Sequence, residues 1–128
     1  MEYKVIEGLY YTKGDEWMKV EGDTGTVGIT DYAQDKLGDV VYVEEATVGK
    51  KVKKDEVALT VESVKAASDI NAPVSGKVTE INKGAVSDSK ILNKDPYGAG
   101  WLFKVKIENP DELKELMDAK AYSAYRKE

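Results

Sequence analysis

One lysine near the middle of the chain has neighbours that suit a covalent attachment point. Lys65 lies within residues 62–69, directly after a predicted strand that ends near Val61. The strand pattern places this lysine at an exposed hairpin tip, where Ala66 and Ala67 are too small to block an approaching enzyme. A primary amine on a flexible four-carbon stem is open to acylation there. An ordinary solubilising lysine fits the same position, so position alone does not identify a modified residue.

The absence of two residue types restricts the chemistry that the chain can perform. The sequence contains no Cys and no His, so it lacks a thiolate nucleophile and any side chain with an unperturbed pKa near neutrality. A site built from carboxylates, Lys or Tyr with burial-shifted pKa values is what remains for catalysis. Glu16 and Asp69 could form such a site, but no nucleophile or metal motif accompanies them. We therefore predict that the chain is not an enzyme.

The charge balance argues against two classes of partner. The formal net charge is -5, which repels a phosphate backbone and anionic lipid. No stretch approaches the apolar length of a membrane span, and residues 1–8 mix charged with apolar side chains, unlike a signal peptide. We predict no nucleic-acid and no membrane partner, and we expect a cytoplasmic location.

Alternation of apolar and polar residues predicts a mainly β chain. Val57, Leu59 and Val61 fall on one face of a strand, as period-2 spacing requires. Further strands are predicted at residues 10–11, 17–20, 26–29, 40–43, 74–81 and 101–107. Short strands separated by Gly, Asp and Asn are typical of a sandwich or barrel. A length of 128 residues fits one domain spanning 1–128.

A short internal helix is predicted to end at Leu37. Thr30 or Asp31 can cap its start, and Gln34 stands three residues after Asp31, in capping-box position. Gly38 provides the stop signal.

A second helix is predicted near the C-terminus. Asn109 can cap it, Pro110 occupies the first helical position, and Leu113, Leu116 and Met117 form an apolar stripe. The polar tail over 118–128 is also helix-prone. We expect the striped helix to cover a face of the sheet.

Two segments of the chain echo each other. Residues 48–52 and 74–78 each place a Gly-Lys pair before a strand. The echo predicts two similar hairpin halves, with residues 62–69 between them.

Several stretches of the sequence resemble one known family. The string VESVKAASDI around Lys65 resembles the lipoylation site of glycine cleavage H proteins, and the resemblance extends through GTVGITDYAQDKLGDVVYVE, APVSGKV and NKDPYGAGW. It covers the chain from about Gly8 to about Leu116, with the stretches in the same order. The resemblance implies a flattened β-sandwich, the barrel-sandwich hybrid of lipoyl and biotinyl carriers, with a short internal helix and a C-terminal helix. It also implies lipoate bound covalently to Lys65.

The residues beside Lys65 separate this family from its relatives. Lipoyl domains of 2-oxo acid dehydrogenases typically have Asp directly before the modified lysine, and biotin carriers have Met on both sides, whereas this chain has Val64 and Ala66. Glu62, three residues before Lys65, is the H-like arrangement and is a candidate for recognition by the lipoylating enzyme. Alternatively, Glu62 is only an outward polar residue of a strand.

The resemblance implies a carrier in the glycine cleavage system. Such a carrier takes the aminomethyl group of glycine on its lipoyl-lysine arm from glycine decarboxylase, the P protein, to an aminomethyltransferase, the T protein. Dihydrolipoyl dehydrogenase, the L protein, then reoxidises the arm. A lipoate ligase or an octanoyl or lipoyl transferase would attach the cofactor, and we expect a monomer. The alternatives are an H-like protein that relays lipoate to other enzymes, and an unmodified β-sandwich interaction module.

Carboxylates near the N-terminus match a second part of the family pattern. That pattern reads roughly His-Glu-Trp, and the matching positions here are Asp15, Glu16 and Trp17. Glu16 and Asp69 are expected to attract the ammonium of an aminomethyl-loaded arm, unless both are ordinary solvated acids. Asp15 departs from the usual His, and it either tightens ammonium binding or occupies a tolerant surface position.

Overall fold

Two antiparallel β-sheets dominate the computed structural model, which describes residues 3–126. The strands in chain order are β1 (Tyr10–Tyr11), β2 (Glu16–Glu21), β3 (Thr24–Ile29), β4 (Val40–Val43), β5 (Lys51–Val52), β6 (Val57–Ser63), β7 (Ala67–Asn71), β8 (Gly76–Ile81) and β9 (Phe103–Ile107). The larger sheet has the order β1-β2-β3-β9-β8-β5, and the smaller one has the order β4-β6-β7. The predicted mainly β fold is confirmed.

The main core contains the inward-facing residues of both sheets. Leu59 and Val61 of β6 are buried, as are Phe103 and Val105 of β9, so the period-2 pattern oriented these strands correctly. Burying each such side chain stabilises the fold by about 1.5–3 kcal/mol. Val57 is an exception, because a register shift between β6 and β7 separates it from Leu59 and leaves it 41% exposed.

The first predicted helix is present as α1 (Asp31–Leu37). Thr30 is its N-cap, with the hydroxyl accepting from Ala33 N at 3.2 Å, and Gly38 ends it with a φ of 77°. The predicted capping box is wrong. With Thr30 as cap, Ala33 is the third helical residue, and Gln34 instead donates its side-chain N–H to Asp31 at 2.9 Å.

The apolar stripe near the C-terminus does not form one α-helix. Asn109 caps a 3₁₀ helix, Pro110–Glu115, but Leu116 is already extended. Met117 pairs with Tyr11 of β1 through two backbone hydrogen bonds of 2.8 Å each. This bridge ends the helix, because its backbone bonds require an extended chain. Leu113 and Leu116 therefore pack on the main core, whereas Met117 packs against a second cluster.

The C-terminal α-helix lies in the tail, as α4 (Ala119–Tyr125) capped by Asp118. Ala119 and Tyr122 are buried in a second cluster with Tyr11 and Trp17. The rings of Tyr122 and Tyr11 are stacked, with centroids 4.5 Å apart. The tail is thus the element that covers the β1–β2 end of the larger sheet.

Two short helices were not predicted, α2 (Lys83–Ser87) and α3 (Ile91–Lys94). The echoed Gly-Lys segments pair with each other, since Lys51 of β5 faces Lys77 of β8 in antiparallel register. No helix within residues 3–126 is long and apolar enough to cross a membrane.

Candidate functional site

Lys65 lies at the tip of the β6–β7 hairpin, as its position in the sequence predicts. Ser63 builds this turn: its backbone N–H donates to Ala66 O at 2.8 Å, and its hydroxyl donates to the same oxygen at 3.2 Å. The hydroxyl also accepts from the backbone N–H groups of Lys65 and Ala66, at 3.3 and 3.2 Å. A nearly buried serine therefore fixes the turn while the amine of Lys65 stays exposed.

The Lys65 turn contacts the residues that follow the C-terminal end of α1. Val64 N donates to Asp39 O at 3.0 Å, and a Cβ at Gly38 would lie 3.5 Å from Lys65 Cε. The lysine stem thus passes directly over the residue that ends α1. The space between α1 and β7 begins beside this turn, at Ala66 and Ala67.

A groove of about 260 Å³ occupies that space. Residues of the β6–β7 hairpin form one wall, α1 forms the other, and Ile29 lies between them. The lining residues are Gly14, Asp15, Ile29, Tyr32, Ala33, Lys36, Leu37, Ala66, Ala67, Ser68 and Ile70. The volume is close to the lower end of the range for small-ligand sites, about 300–1,000 Å³. A groove with mixed polar and apolar lining therefore begins one residue from Lys65.

Glu16 is held beneath this groove and is not a solvated acid. It is only 3% exposed, and its carboxylate accepts from the Thr12 hydroxyl and from Asn71 N at 3.1 Å. Burial raises the pKa of Glu16 above its ordinary value, while these hydrogen bonds act in the opposite direction. A Cβ at Gly14 would lie 3.0 Å from Glu16 Oε1, so the carboxylate packs against a glycine that lines the groove.

Asp69 does not share that environment. It is exposed on β7, opposite Thr60, whose hydroxyl donates to its carboxylate at 3.3 Å. Its neighbours Ser68 and Ile70 line the groove, but Asp69 is outside the lining. The structure therefore gives the two acids different environments, with Glu16 buried and Asp69 exposed.

Glu62 is exposed on β6, one residue before the end of that strand at Ser63. It faces Tyr42 of β4 on one side and Ala67 of β7 on the other. Tyr42 is 52% exposed and Val64 is 68% exposed. An acid with large apolar neighbours thus lies on the outer face of the small sheet, near Lys65.

Asp15 lines the groove but is already paired. Arg126 of the segment after α4 donates to both of its carboxylate oxygens, through Nε and Nη2 at 2.7 Å each. The Tyr122 hydroxyl donates to the same carboxylate at 2.9 Å and lies 2.7 Å from the Thr30 hydroxyl. The hydrogen bonds to Asp15 raise the pKa of Arg126, and burial raises the pKa of Tyr122. The negative charge of Asp15 beside the groove is therefore balanced by the positive charge of Arg126.

Sequence reasoning missed three residues that shape this site. Thr12 and Arg126 carried no pattern that could have marked them, since each contacts its partner only through the fold. Tyr122 belongs to the helix-prone tail, where a tyrosine one helical turn after Asp118 is a weak signal for docking. Within the described part of the chain, no group of three or more Asp or Glu residues is arranged to hold a metal ion.

Comparison with known proteins gives consistent matches over nearly the whole chain. A family model described as glycine cleavage H-protein matches residues 9–128. A probable glycine cleavage system H protein of Pyrococcus abyssi is 57% identical, with 98% of this chain and 95% of that protein aligned. The glycine cleavage system H protein of Symbiobacterium thermophilum is 52% identical, with 94% of each chain aligned.

A solved structure shows the same likeness in three dimensions. The crystal structure of a glycine cleavage system H protein from Mycobacterium marinum superposes with a TM-score of 0.83 at 36% identity. The superposition covers 94% of this chain and 97% of that chain.

Proposed function

The chain belongs to the glycine cleavage H-protein family, whose members are carriers and not catalysts, and we propose that it carries its cargo on a lipoyl group attached to Lys65. The cargo is the aminomethyl group of glycine, taken up at the P protein and delivered to the T protein, with reoxidation by the L protein. The observation that carries this proposal is the ordered Lys65 turn directly beside the groove between α1 and β7.

The residues around Lys65 fit acylation of its amine. The Ser63 hydrogen bonds hold the turn, so the backbone needs no reordering when a modifying enzyme engages it. Acylation converts the ammonium to a neutral amide and lengthens the side chain. When bound, the lipoyl group supplies the reactive sulfur that a chain without cysteine lacks. The protein contributes docking and a high effective concentration of the arm.

In this proposal, Glu16 supplies the negative charge that attracts a cationic cargo into the groove. A buried carboxylate attracts an ammonium more strongly than an exposed one, because less water screens the pair. An ammonium above Gly14 would offset the unfavourable burial of the Glu16 charge. Asp69 is exposed at the edge strand, so we propose that it adds only a screened attraction. Enclosure of the cargo would also keep water from the labile aminomethyl group.

Glu62 is proposed as the recognition residue for the lipoylating enzyme, a lipoate ligase or an octanoyl or lipoyl transferase. That enzyme must reach the amine of Lys65 and therefore covers the adjoining outer face of the small sheet. Exposed Tyr42 and Val64 would add apolar contact there. We also retain the predictions of a cytoplasmic monomer and of one domain over residues 1–128.

Intact-mass measurement after co-expression with a lipoate ligase tests the attachment site. We expect the native chain to gain one lipoyl group and Lys65→Ala to gain none, because acylation needs the primary amine. Lys36→Ala is the matched control: Lys36 also borders the groove, and its loss should leave lipoylation complete. A native chain that stays unmodified, or a Lys65→Ala chain that is still modified, contradicts the proposal.

A relay of lipoate to other enzymes is the second candidate, and it also requires Lys65. Burial of Glu16 beneath the groove favours the aminomethyl carrier, since a relay has no cationic cargo to attract. Reconstitution with P, T and L proteins separates the two functions. We expect glycine-dependent NADH formation with the lipoylated chain, and its absence in a reconstitution that works with another H protein would favour the relay.

A further inference from the structure

Arg126 contacts two residues of the groove lining at once. On one side its guanidinium makes the two 2.7 Å hydrogen bonds to Asp15. On the other side it lies 4.3 Å from the ring centroid of Tyr32, a residue of α1. Asp15 and Tyr32 both line the groove. One side chain from the C-terminal segment therefore holds the turn before β2 and the helix α1, both far from it in sequence.

The contact between Arg126 and Asp15 is well shielded from water. Their side chains are only 24% and 14% exposed, and two parallel N–H···O bonds between a guanidinium and a carboxylate fix the relative orientation of both groups. Solvent and salt screen such a pair less than an open surface pair. The geometry at Asp15 thus depends directly on Arg126.

The backbone of Asp15 has an unusual conformation. Its φ is 72°, a left-handed conformation that side chains other than glycine adopt rarely. Its carbonyl accepts from Thr30 N at 3.0 Å, and Glu16 follows directly in the chain. A change at Asp15 would therefore alter both the cap of α1 and the position of Glu16 beneath the groove.

Tyr122 ties the same points together from α4. Its hydroxyl contacts the Asp15 carboxylate and the Thr30 hydroxyl, and Thr30 caps α1. The helix α4 thus holds Asp15 of the groove lining and the start of α1 at a fixed separation. Because Asp15 already has a cationic partner, it presents little free charge to a cationic cargo.

We propose that Arg126 and Asp15 act as a clamp that holds Tyr32 in the groove lining and positions Glu16 toward the cargo. The clamp rests on the proposed function, because it acts on the lipoyl arm when the loaded arm lies in the groove. Arg126 and Asp15 are positioning residues: they hold Tyr32 and Glu16 and do not touch the reacting atoms.

The lifetime of the aminomethyl-loaded form tests the clamp. The lipoylated chain is loaded with glycine and P protein, the enzyme is removed, and loss of the aminomethyl mass is followed over time. We expect Arg126→Gln and Asp15→Asn each to shorten the lifetime about fivefold, the effect of losing roughly 1 kcal/mol of coupling. The double variant should decay no faster than either single one, because both remove the same contact.

A matched control and a second measurement distinguish the clamp from simple helix docking. Lys120→Gln removes an exposed cation of α4 and should leave the lifetime unchanged. Hydrogen exchange of the unlipoylated Arg126→Gln chain should accelerate at residues 13–15 and 119–125, while the β6–β7 hairpin stays protected. A native lifetime in both clamp variants, with or without faster exchange in α4, overturns the clamp. Failure of lipoylation at Lys65 would instead overturn the proposed function, and intact mass reports it before loading.

Discussion

Glu16 shows how burial gives one carboxyl group an environment that the exposed acids of the chain lack. The chain has 24 Asp and Glu residues, so composition does not single any of them out. Glu16 differs because β2 begins at it and directs its side chain beneath Gly14, where Thr12 and Asn71 satisfy both carboxylate oxygens. The hydrogen bonds keep the group in place, and burial keeps its charge unscreened.

The raised pKa of Glu16 makes the stability of the protein depend on pH. Because the folded-state pKa lies above the unfolded value, the native state binds the proton more readily than the unfolded chain does. The stabilisation from protonation is fully present below the unfolded pKa, about 4.3, and is lost as pH rises through the folded pKa. At neutral pH the ionised Glu16 therefore lowers the free energy of unfolding.

Glu16→Gln should remove this pH dependence. We expect the free energy of unfolding of the native chain, minus that of Glu16→Gln, to increase as pH falls from about 7.5 to about 4.5. Each unit by which the pKa is raised contributes about 1.4 kcal/mol to that change. Urea unfolding at several pH values measures it, with exposed Glu108→Gln as control. A difference that stays constant or decreases toward acid pH would contradict the raised pKa.

The same variant tests the proposed attraction to the cargo. Glu16→Gln should leave lipoylation of Lys65 intact but shorten the lifetime of the aminomethyl-loaded form, because the groove loses its buried negative charge. Asp69→Asn is the comparison, and its exposed position predicts a smaller effect. Equal lifetimes of the loaded native and Glu16→Gln chains would show that Glu16 has only a structural role.

At the scale of elements, the hairpin that presents Lys65 depends on one serine. The Ser63 hydroxyl makes three hydrogen bonds within the turn, and the residue is 9% exposed. Two of these bonds give the backbone N–H groups of Lys65 and Ala66 an acceptor within the turn. The tip therefore has a defined backbone, although both Val64 and Lys65 are exposed.

Ser63→Ala should weaken the hairpin without unfolding the protein. We expect a loss of about 1–2 kcal/mol in the free energy of unfolding, since the backbone N–H groups of Lys65 and Ala66 lose their acceptor. Ser87→Ala is the control, because Ser87 is exposed and makes one local bond of 3.3 Å to Gly84 O. Urea unfolding compares the two variants. Equal losses would show that the Ser63 bonds do not contribute beyond those of an ordinary surface serine.

The elements divide clearly into those that the sequence could predict and those that it could not. The alternation in β6 and β9 and the Thr30 and Gly38 signals of α1 are local, so they could be read from neighbouring residues. The ends of the C-terminal elements depend on Met117 pairing with Tyr11, a contact between distant parts of the chain. The same holds at the site: the string around Lys65 predicted the proposed attachment point, whereas the Asp15–Arg126 pair needed the fold.

At the scale of the whole molecule, two separate clusters of buried side chains stabilise different parts of the fold. The main core lies between the sheets and supports the β6–β7 hairpin. The second cluster, formed by Tyr11, Trp17, Ala119 and Tyr122, joins the first strands to the last helix. Because Arg126 follows that helix directly, the second cluster also determines whether the clamp at the groove can form.

Two tyrosines of α4 allow a matched test of the second cluster. Tyr122 is 1% exposed and Tyr125 is 43% exposed, although both belong to the same short helix. We expect Tyr122→Ala to lower the free energy of unfolding by about 3–5 kcal/mol, as for other buried aromatic residues, and Tyr125→Ala to lower it by less than about 1 kcal/mol. Urea unfolding followed by tryptophan fluorescence reports both, since Trp17 belongs to the cluster. Equal losses would contradict a cluster in which Tyr122 joins the two ends of the chain, and the Arg126 clamp would then have to form without it.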